Sequence, residues 1–200
     1  MAKRSLGRGA VLSPVPAVMV SCALGEDTNI VTVAWCGTVC TKPSKTYISL
    51  RPSRHSYGII KESGYFVINL VPSALAKKAD YCGTFTGAKV NKFEKCGFTP
   101  VYPEGCPVPL IAECPVSILC RVEQILPLGS HDMFLAEVVE VFAEEALFDS
   151  RGALRLDKAG LCAYAHGSYY ELGKRIGAIG FSATKKKPKV RPTKHVKRKN

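Results

Sequence analysis

The stretch NIVTVAWCGTVCTKPSKTYISLRPSRHSYGIIKESGYFVINL, residues 29–70, decides the fold. It opens on a β-branched run from Asn29 to Val39, passes through a second from Thr46 to Leu50, and ends on a third from Tyr65 to Leu70. Such residues suit a pleated, half-buried surface. Between the last two runs Ser53 opens RHSYGIIKESG, where Tyr57, Ile60 and Lys61 share a helical face and Gly64 supplies a stop. That spacing predicts a helix of about ten residues capped by Ser53.

Working outward, Ala17 to Leu24 reads as a strand joined to Asn29–Val39 by a hairpin loop, Gly25 to Thr28. Ser73 to Tyr81 reads as a second helix with a capping serine, and Leu75 and Ala79 are spaced for one face. Cys82 to Glu113 is loop-rich, with Gly83, Gly87, Gly97 and Gly105. Long strands follow at Val116 to Leu126 and Met133 to Phe142, with shorter ones at Ala146 to Phe148 and Leu161 to Ala165. Strands dominate, and turn signals recur at the spacing of a closed antiparallel barrel.

The 200 residues are 46% hydrophobic and 22% charged, which excludes a disordered or fibrous chain and makes one domain the default. The net charge of +12 sits at the two ends: residues 185–200 carry nine Lys/Arg and residues 1–8 carry Lys3, Arg4 and Arg8, with no acid in either. The body between them is formally neutral, so it lacks the basic docking face of a nucleic-acid-binding domain. The expected organisation is a basic N-terminal segment at 1–12, one folded domain at 13–184, and a basic tail at 185–200. The tail, interrupted by Pro188 and Pro192, reads as solvated and disordered, with contact to nucleic acid or an anionic surface as the alternative.

Pro14 and Pro16 interrupt the apolar run that would make the N-terminus a signal peptide, and no run approaches the length of a transmembrane helix. A cytoplasmic protein without membrane contact is expected. Nine cysteines, with no C-x-x-C, match neither zinc-ribbon nor ferredoxin spacing. They read as buried free thiols, and no metal is expected.

No glycine fingerprint of a dinucleotide fold, no phosphate-binding P-loop and no G-x-S-x-G elbow is present. What remains is the strand Thr32 to Thr38 and a cluster of Arg51, Ser53, Arg54, His55 and Ser56 where a strand turns into a helix. Free backbone N–H groups at a helix start, with hydroxyls and guanidinium groups, are what a phosphate requires. An ordinary capping serine among solvated arginines is the competing reading.

Four segments, VTVAWCGTVCTKPSKTYISLRPSRHSYGIIKESGYFVINLV, ADYCGTFTGAKVNKF, GSHDMFLAEVV and YAHGSYYELGKRIG, resemble in order and spacing the flavin reductase-like family of FMN-binding split barrels, flavoredoxin-type branch. The resemblance spans about Val15 to Phe181. It implies a mainly β fold: a six-stranded antiparallel split β-barrel with Greek-key topology, flanking helices and a homodimer. It also implies an oxidoreductase that moves a hydride or electrons through bound FMN, with NADH, NADPH or a redox protein as donor. The alternative is a flavin-binding or storage module without turnover, associated with nucleic acid through the basic tail.

Carried over residue by residue, the resemblance places the isoalloxazine against Thr32, Ala34, Trp35, Cys36, Gly37 and Thr38. It places the phosphate among Arg51, Ser53, Arg54, Ser56 and Tyr57, beneath the loop of Cys82, Gly83, Thr86, Gly87 and Lys89, and the ribityl chain near Asn69. Only one of Lys89 and Lys92 need reach the site. His131 either shapes its turn or approaches the electron donor as the one candidate catalytic side chain. Tyr164, His166, Tyr169 and Tyr170 either stack on the ring edge or pack between subunits.

Overall fold

The computed structural model describes residues 1–183, so the tail expected at 185–200 lies outside the described residues. In chain order the elements are β1 (Val15–Pro16), β2 (Val18–Leu24), β3 (Asp27–Val33), β4 (Cys36–Thr41), β5 (Ser44–Leu50), α1 (His55–Ser63) and β6 (Tyr65–Leu70). These are followed by α2 (Ala76–Thr84), α3 (Lys92–Cys96), β7 (Pro100–Val101), β8 (Leu110–Ile111), β9 (Val116–Pro127), β10 (Asp132–Ala143), β11 (Cys162–Ala165) and β12 (Ser168–Glu171).

Seven strands form one antiparallel sheet in the order β3-β2-β6-β9-β10-β5-β4. The run Asn29–Val39, expected as one strand, is split: β3 and β4 lie at opposite edges of that sheet, and the bend at Ala34–Trp35 carries the chain between them. That bend gives the main sheet seven strands where six were expected. The Ser49 N–H donates to the Trp35 carbonyl at 2.8 Å, which carries the β4–β5 pairing up to the bend. At this seam the two edge strands are linked by the chain itself, with no β3–β4 ladder between them among the described residues.

Successive side chains of a strand point to opposite faces, and β2 is covered on both. Val18, Val20 and Cys22 enter the barrel interior with Val31, Val33, Ile48, Phe66 and Phe134. Met19 faces outward beneath α2 and α3, with Ala79, Cys82 and Phe93. Helix α1 closes the barrel, placing Ile59 and Ile60 in the interior cluster. It ends where Gly64 (φ 74°) adopts the left-handed conformation and donates to the Ile60 carbonyl.

Several expectations are corrected. The β2–β3 hairpin is tighter than expected, because Leu24 already pairs with Asp27. Arg54, not Ser53, is the N-cap of α1, and no side chain caps it. Ser73 donates to the Gly160 carbonyl instead of capping a helix, and α2 begins later, at Ala76. Residues 145–147, at the start of an expected strand, form a 3-10 turn, and the loop-rich segment contains α3, capped by the Asn91 side chain. Among the described residues, no helix is long and apolar enough to cross a membrane.

Candidate functional site

The seam is where the barrel opens. A cleft of about 440 Å³ lies against it, walled by Thr32, Ala34 and Trp35 from the bend, Arg51 and Arg54 from the β5–α1 turn, and Gly83 from α2. Tyr164 and Tyr169, on β11 and β12, close the far side with their rings edge to face at 5.6 Å. Thr32 donates to the Ala79 carbonyl, tying β3 to α2. A Cβ on Gly83 would sit 3.1 Å from the Thr32 Cβ, so glycine permits that close approach.

Arg51, Arg54, Val31 and Thr84 also line a second compartment of about 170 Å³, which makes the two spaces adjoin. Its other walls include Asn29, Ser53, Ser56, Thr86, Gly87 and Lys92, and no carboxylate is among its lining residues. The start of α1 contributes Ser56 and the unsatisfied N–H groups of a helix N-terminus. Lys92 is buried, and its ammonium donates to the carbonyls of Ile30 at 2.6 Å and Cys82 at 2.7 Å. Burial holds that ammonium below the ordinary lysine range, and Arg54 adds repulsion.

Asn29 lies at the floor of this compartment. Its Nδ2 donates to Ser56 Oγ at 2.8 Å, while its Oδ1 is buried with no hydrogen-bond partner among the described residues. A buried acceptor left unmade costs free energy that a ligand's donor would recover. Gly87 packs directly over it: a Cβ there would fall 2.2 Å from Asn29 Oδ1.

His131 forms the wall shared by the main cleft and a third cavity of about 380 Å³ on the other side of Trp35. Arg51 Nε donates to His131 Nε2 at 3.4 Å, which leaves the proton of the neutral ring on Nδ1, 3.0 Å from Ser130 Oγ. Burial, then Arg51 and Arg54, push the imidazole below its ordinary pKa. On the cleft's opposite wall, burial and then the Asp80 carboxylate push the Tyr169 phenol up to about 12.

Of the residues singled out in the sequence, Thr32, Ala34, Trp35, Arg51, Arg54, Gly83 and His131 meet in the main cleft, and Ser53, Ser56, Thr86 and Gly87 join the two arginines in the smaller one. Tyr164 and Tyr169 also line the main cleft, and His55 and Lys92 the smaller one, whereas other candidates stand elsewhere. Asn69 is fully buried between sheet and loop, donating to Met19 O and Ser21 Oγ and accepting from Ile111 N and Ser117 Oγ. Its amide is consumed by the core, which leaves nothing for a ribityl chain. Tyr57 donates to Asp132 Oδ2 at 2.6 Å and packs edge-on against Phe134, so it braces the turn that holds His131 instead of lining the compartment. Cys36 lines the third cavity, Gly37 packs on the Tyr47 ring, and Thr38 lies out on β4. Cys82 lends its carbonyl to Lys92 and buries its thiol. Lys89 is exposed on the loop surface, and Lys92 is the lysine that reaches the site.

Asn29, Asp80 and Thr84 are site residues that sequence reasoning missed. Asn29 did carry a signal, since it occupies the inward phase of β3 that Val31 and Val33 also occupy, where a polar residue is out of place. Asp80 and Thr84 carried none.

A split barrel whose seam holds a cleft with aromatic walls, adjoining a cationic pocket at a helix start, is the class of protein that this fold and site define. The chain belongs to the flavin reductase like domain family, whose model matches residues 11–173. It is similar to the solved flavoredoxin of Desulfovibrio vulgaris (Miyazaki F), 27% identical with a TM-score of 0.84 over 92% of this chain and all of that one. A protein of Archaeoglobus fulgidus is 32% identical over 126 residues, 63% of this chain and 71% of the relative. An NADPH-flavin oxidoreductase of Streptomyces viridifaciens is 25% identical over 129 residues, and the chain spans 66% of its length.

Proposed function

We propose that the chain is an FMN-binding oxidoreductase that takes electrons from NADH, NADPH or a small redox protein and passes them to an acceptor. The observation that carries this reading is the orphaned Asn29 Oδ1 in an acid-free pocket of Arg51, Arg54 and Lys92 beside an aromatic-walled cleft. The donor set fits a ribityl phosphate: guanidinium groups pair with its charge, and the Asn29 carbonyl oxygen is placed to accept from a ribityl hydroxyl. Bound flavin would supply the two-electron chemistry that no side chain in the cleft can.

This chain's own residues bind and orient. Trp35, Tyr164 and Tyr169 offer flat apolar surface and keep water from the ring's faces. The seam backbone at Ala34–Trp35 lies along the cleft, beside the neutral His131, whose Nε2 is held by Arg51. We further propose a homodimer, because Val139 and Val141 of β10 and Val39 of edge strand β4 leave apolar surface exposed.

The test is a fluorescence titration with FMN and riboflavin followed by anaerobic mixing with NADH and NADPH. FMN binding tighter than riboflavin, with bleaching of the flavin absorbance by a nicotinamide, is the expected result. No FMN binding overturns the reading. FMN that stays oxidised with both nicotinamides and with a reduced ferredoxin or flavodoxin leaves a binding module without turnover.

A further inference from the structure

The two helices beside the small compartment bring two thiols together. Cys82 on α2 and Cys96 at the end of α3 lie with their Sγ atoms 3.8 Å apart, in the core cluster that holds Met19, Ala79 and Phe93. The proposed reaction uses neither. Cys96 follows Lys92 by four residues, so both project from one face of α3. Lys92 Nζ in turn holds the Cys82 carbonyl, so the ammonium contact and the thiol contact join the same pair of helices. The chain between the two cysteines, residues 83–91, contributes Thr84, Phe85, Thr86 and Gly87 to the compartment wall.

We propose that Cys82 and Cys96 are a redox pair that hydrogen peroxide converts to a disulfide, pinning the 83–91 loop against the compartment. A disulfide holds its sulfurs about 2.05 Å apart. Side-chain rotation and a small shift of the five-residue α3 bring the sulfurs that much closer. Among the described residues, this is the one hydrogen-bonding contact between two thiols.

Cys96 keeps 8% of its surface accessible and Cys82 none, so Cys96 is oxidised first. Its thiolate attacks one peroxide oxygen, the O–O bond breaks, and the departing hydroxide takes up the proton as water, leaving a sulfenic acid. The Cys82 sulfur then attacks the sulfenic sulfur, the S–O bond breaks, and a second water leaves with the Cys82 proton. Two thiols and one peroxide give one disulfide and two waters. Burial, and then the neighbouring Cys96, hold the Cys82 thiol above its ordinary range, so the second step, attack by the Cys82 sulfur, quickens as pH rises.

The bond itself does not depend on what the compartment holds; its effect on ligand release rests on the FMN reading. The test treats the full chain with hydrogen peroxide at neutral and mildly alkaline pH, then denatures, alkylates and digests it. Expected are seven alkylated cysteines of the nine and a peptide that links Cys82 to Cys96. The oxidised chain should melt several degrees higher than the reduced one and release FMN several-fold more slowly. In Cys96→Ala the linked peptide and both shifts should vanish. Nine alkylated cysteines, or linkage of other pairs, overturns the proposal. The linked peptide with unchanged melting and FMN release overturns the pinning of the loop. If FMN does not bind at all, the peptide and the melting shift still decide.

Discussion

Asn29 on β3 donates to Ser56 in the first turn of α1 at 2.8 Å, while its own carbonyl oxygen points at no donor. One amide thus fixes the helix start to the barrel and leaves an acceptor where a ligand would sit. The isosteric change Asn29→Asp keeps the shape and adds a charge that a phosphate dianion would meet. We expect FMN to bind at least tenfold more weakly, about 1.4 kcal/mol, with riboflavin little affected. Equal losses for both ligands in the same titration would refute this placement of the phosphate.

Gly87 belongs to the same arrangement. Because a Cβ there would lie 2.2 Å from Asn29 Oδ1, Gly87→Ala forces the loop or the amide to move. A fold cost of about 1–3 kcal/mol is expected from such overpacking, together with weakened FMN binding. Thermal denaturation of the apo and FMN-loaded variants separates the two effects, and an unchanged melting temperature in both forms contradicts the packing.

Arg51 and Arg54 flank the junction between the two compartments, and each Arg→Ala change should weaken FMN by about 1.5–3 kcal/mol, the worth of a charge-assisted contact. Arg54→Ala also frees the Gly83 carbonyl, now bonded to Arg54 Nη1 at 2.9 Å, so it should additionally loosen the end of α2. Hydrogen exchange at residues 80–84 reads that loosening, and protection equal to the parent chain there counts against it.

The homodimer should appear in light scattering at about twice the 21.6 kDa chain mass. Paired changes Val139→Asp and Val141→Asp place charges on the exposed end of β10 and should shift the population toward monomer. A parent chain that is monomeric at micromolar concentration removes the basis for this face as an interface.

How far the sequence carried the fold depended on whether a feature was local. The helix over RHSYGIIKESG was legible because its periodicity and Gly64 act within a few residues. The break at Ala34–Trp35 was not, because no proline or positive-φ glycine marks it within NIVTVAWCGTV and the division is imposed by the sheet closing on itself. The arginines and serines of the β5–α1 turn were readable as a candidate phosphate cluster, with a capping serine among solvated arginines as the other reading, and the structure gathers Arg51, Ser53, Arg54 and Ser56 around one compartment. Asn69 misled for the same reason that Asn29 was missed. A buried amide looks alike in sequence whether its partners are the Ser21 and Ser117 hydroxyls of the core or a ligand. Lys92 and Lys89 are three residues apart, and only the packing of α3 beneath β3 decides which one turns inward.

His131 offers a test that needs no turnover. Its folded pKa is depressed, first by burial and then by Arg51 and Arg54, so the unfolded chain takes up a proton at higher pH than the folded one. The stability this residue contributes is present above the unfolded value of about 6.5 and is lost as pH falls from there toward the folded value. Arg51→Ala removes the nearer cation and the Nε contact to Nε2, and should raise the imidazole pKa toward its ordinary value. Saturation with FMN should shift it the same way in the parent chain, since a phosphate dianion offsets the field of both arginines. Titration of the His131 ring resonances by NMR reads all three states. A pKa at or above the ordinary histidine value in the free parent chain, or one that falls on adding FMN, contradicts the electrostatic arrangement drawn from Arg51, Arg54 and His131.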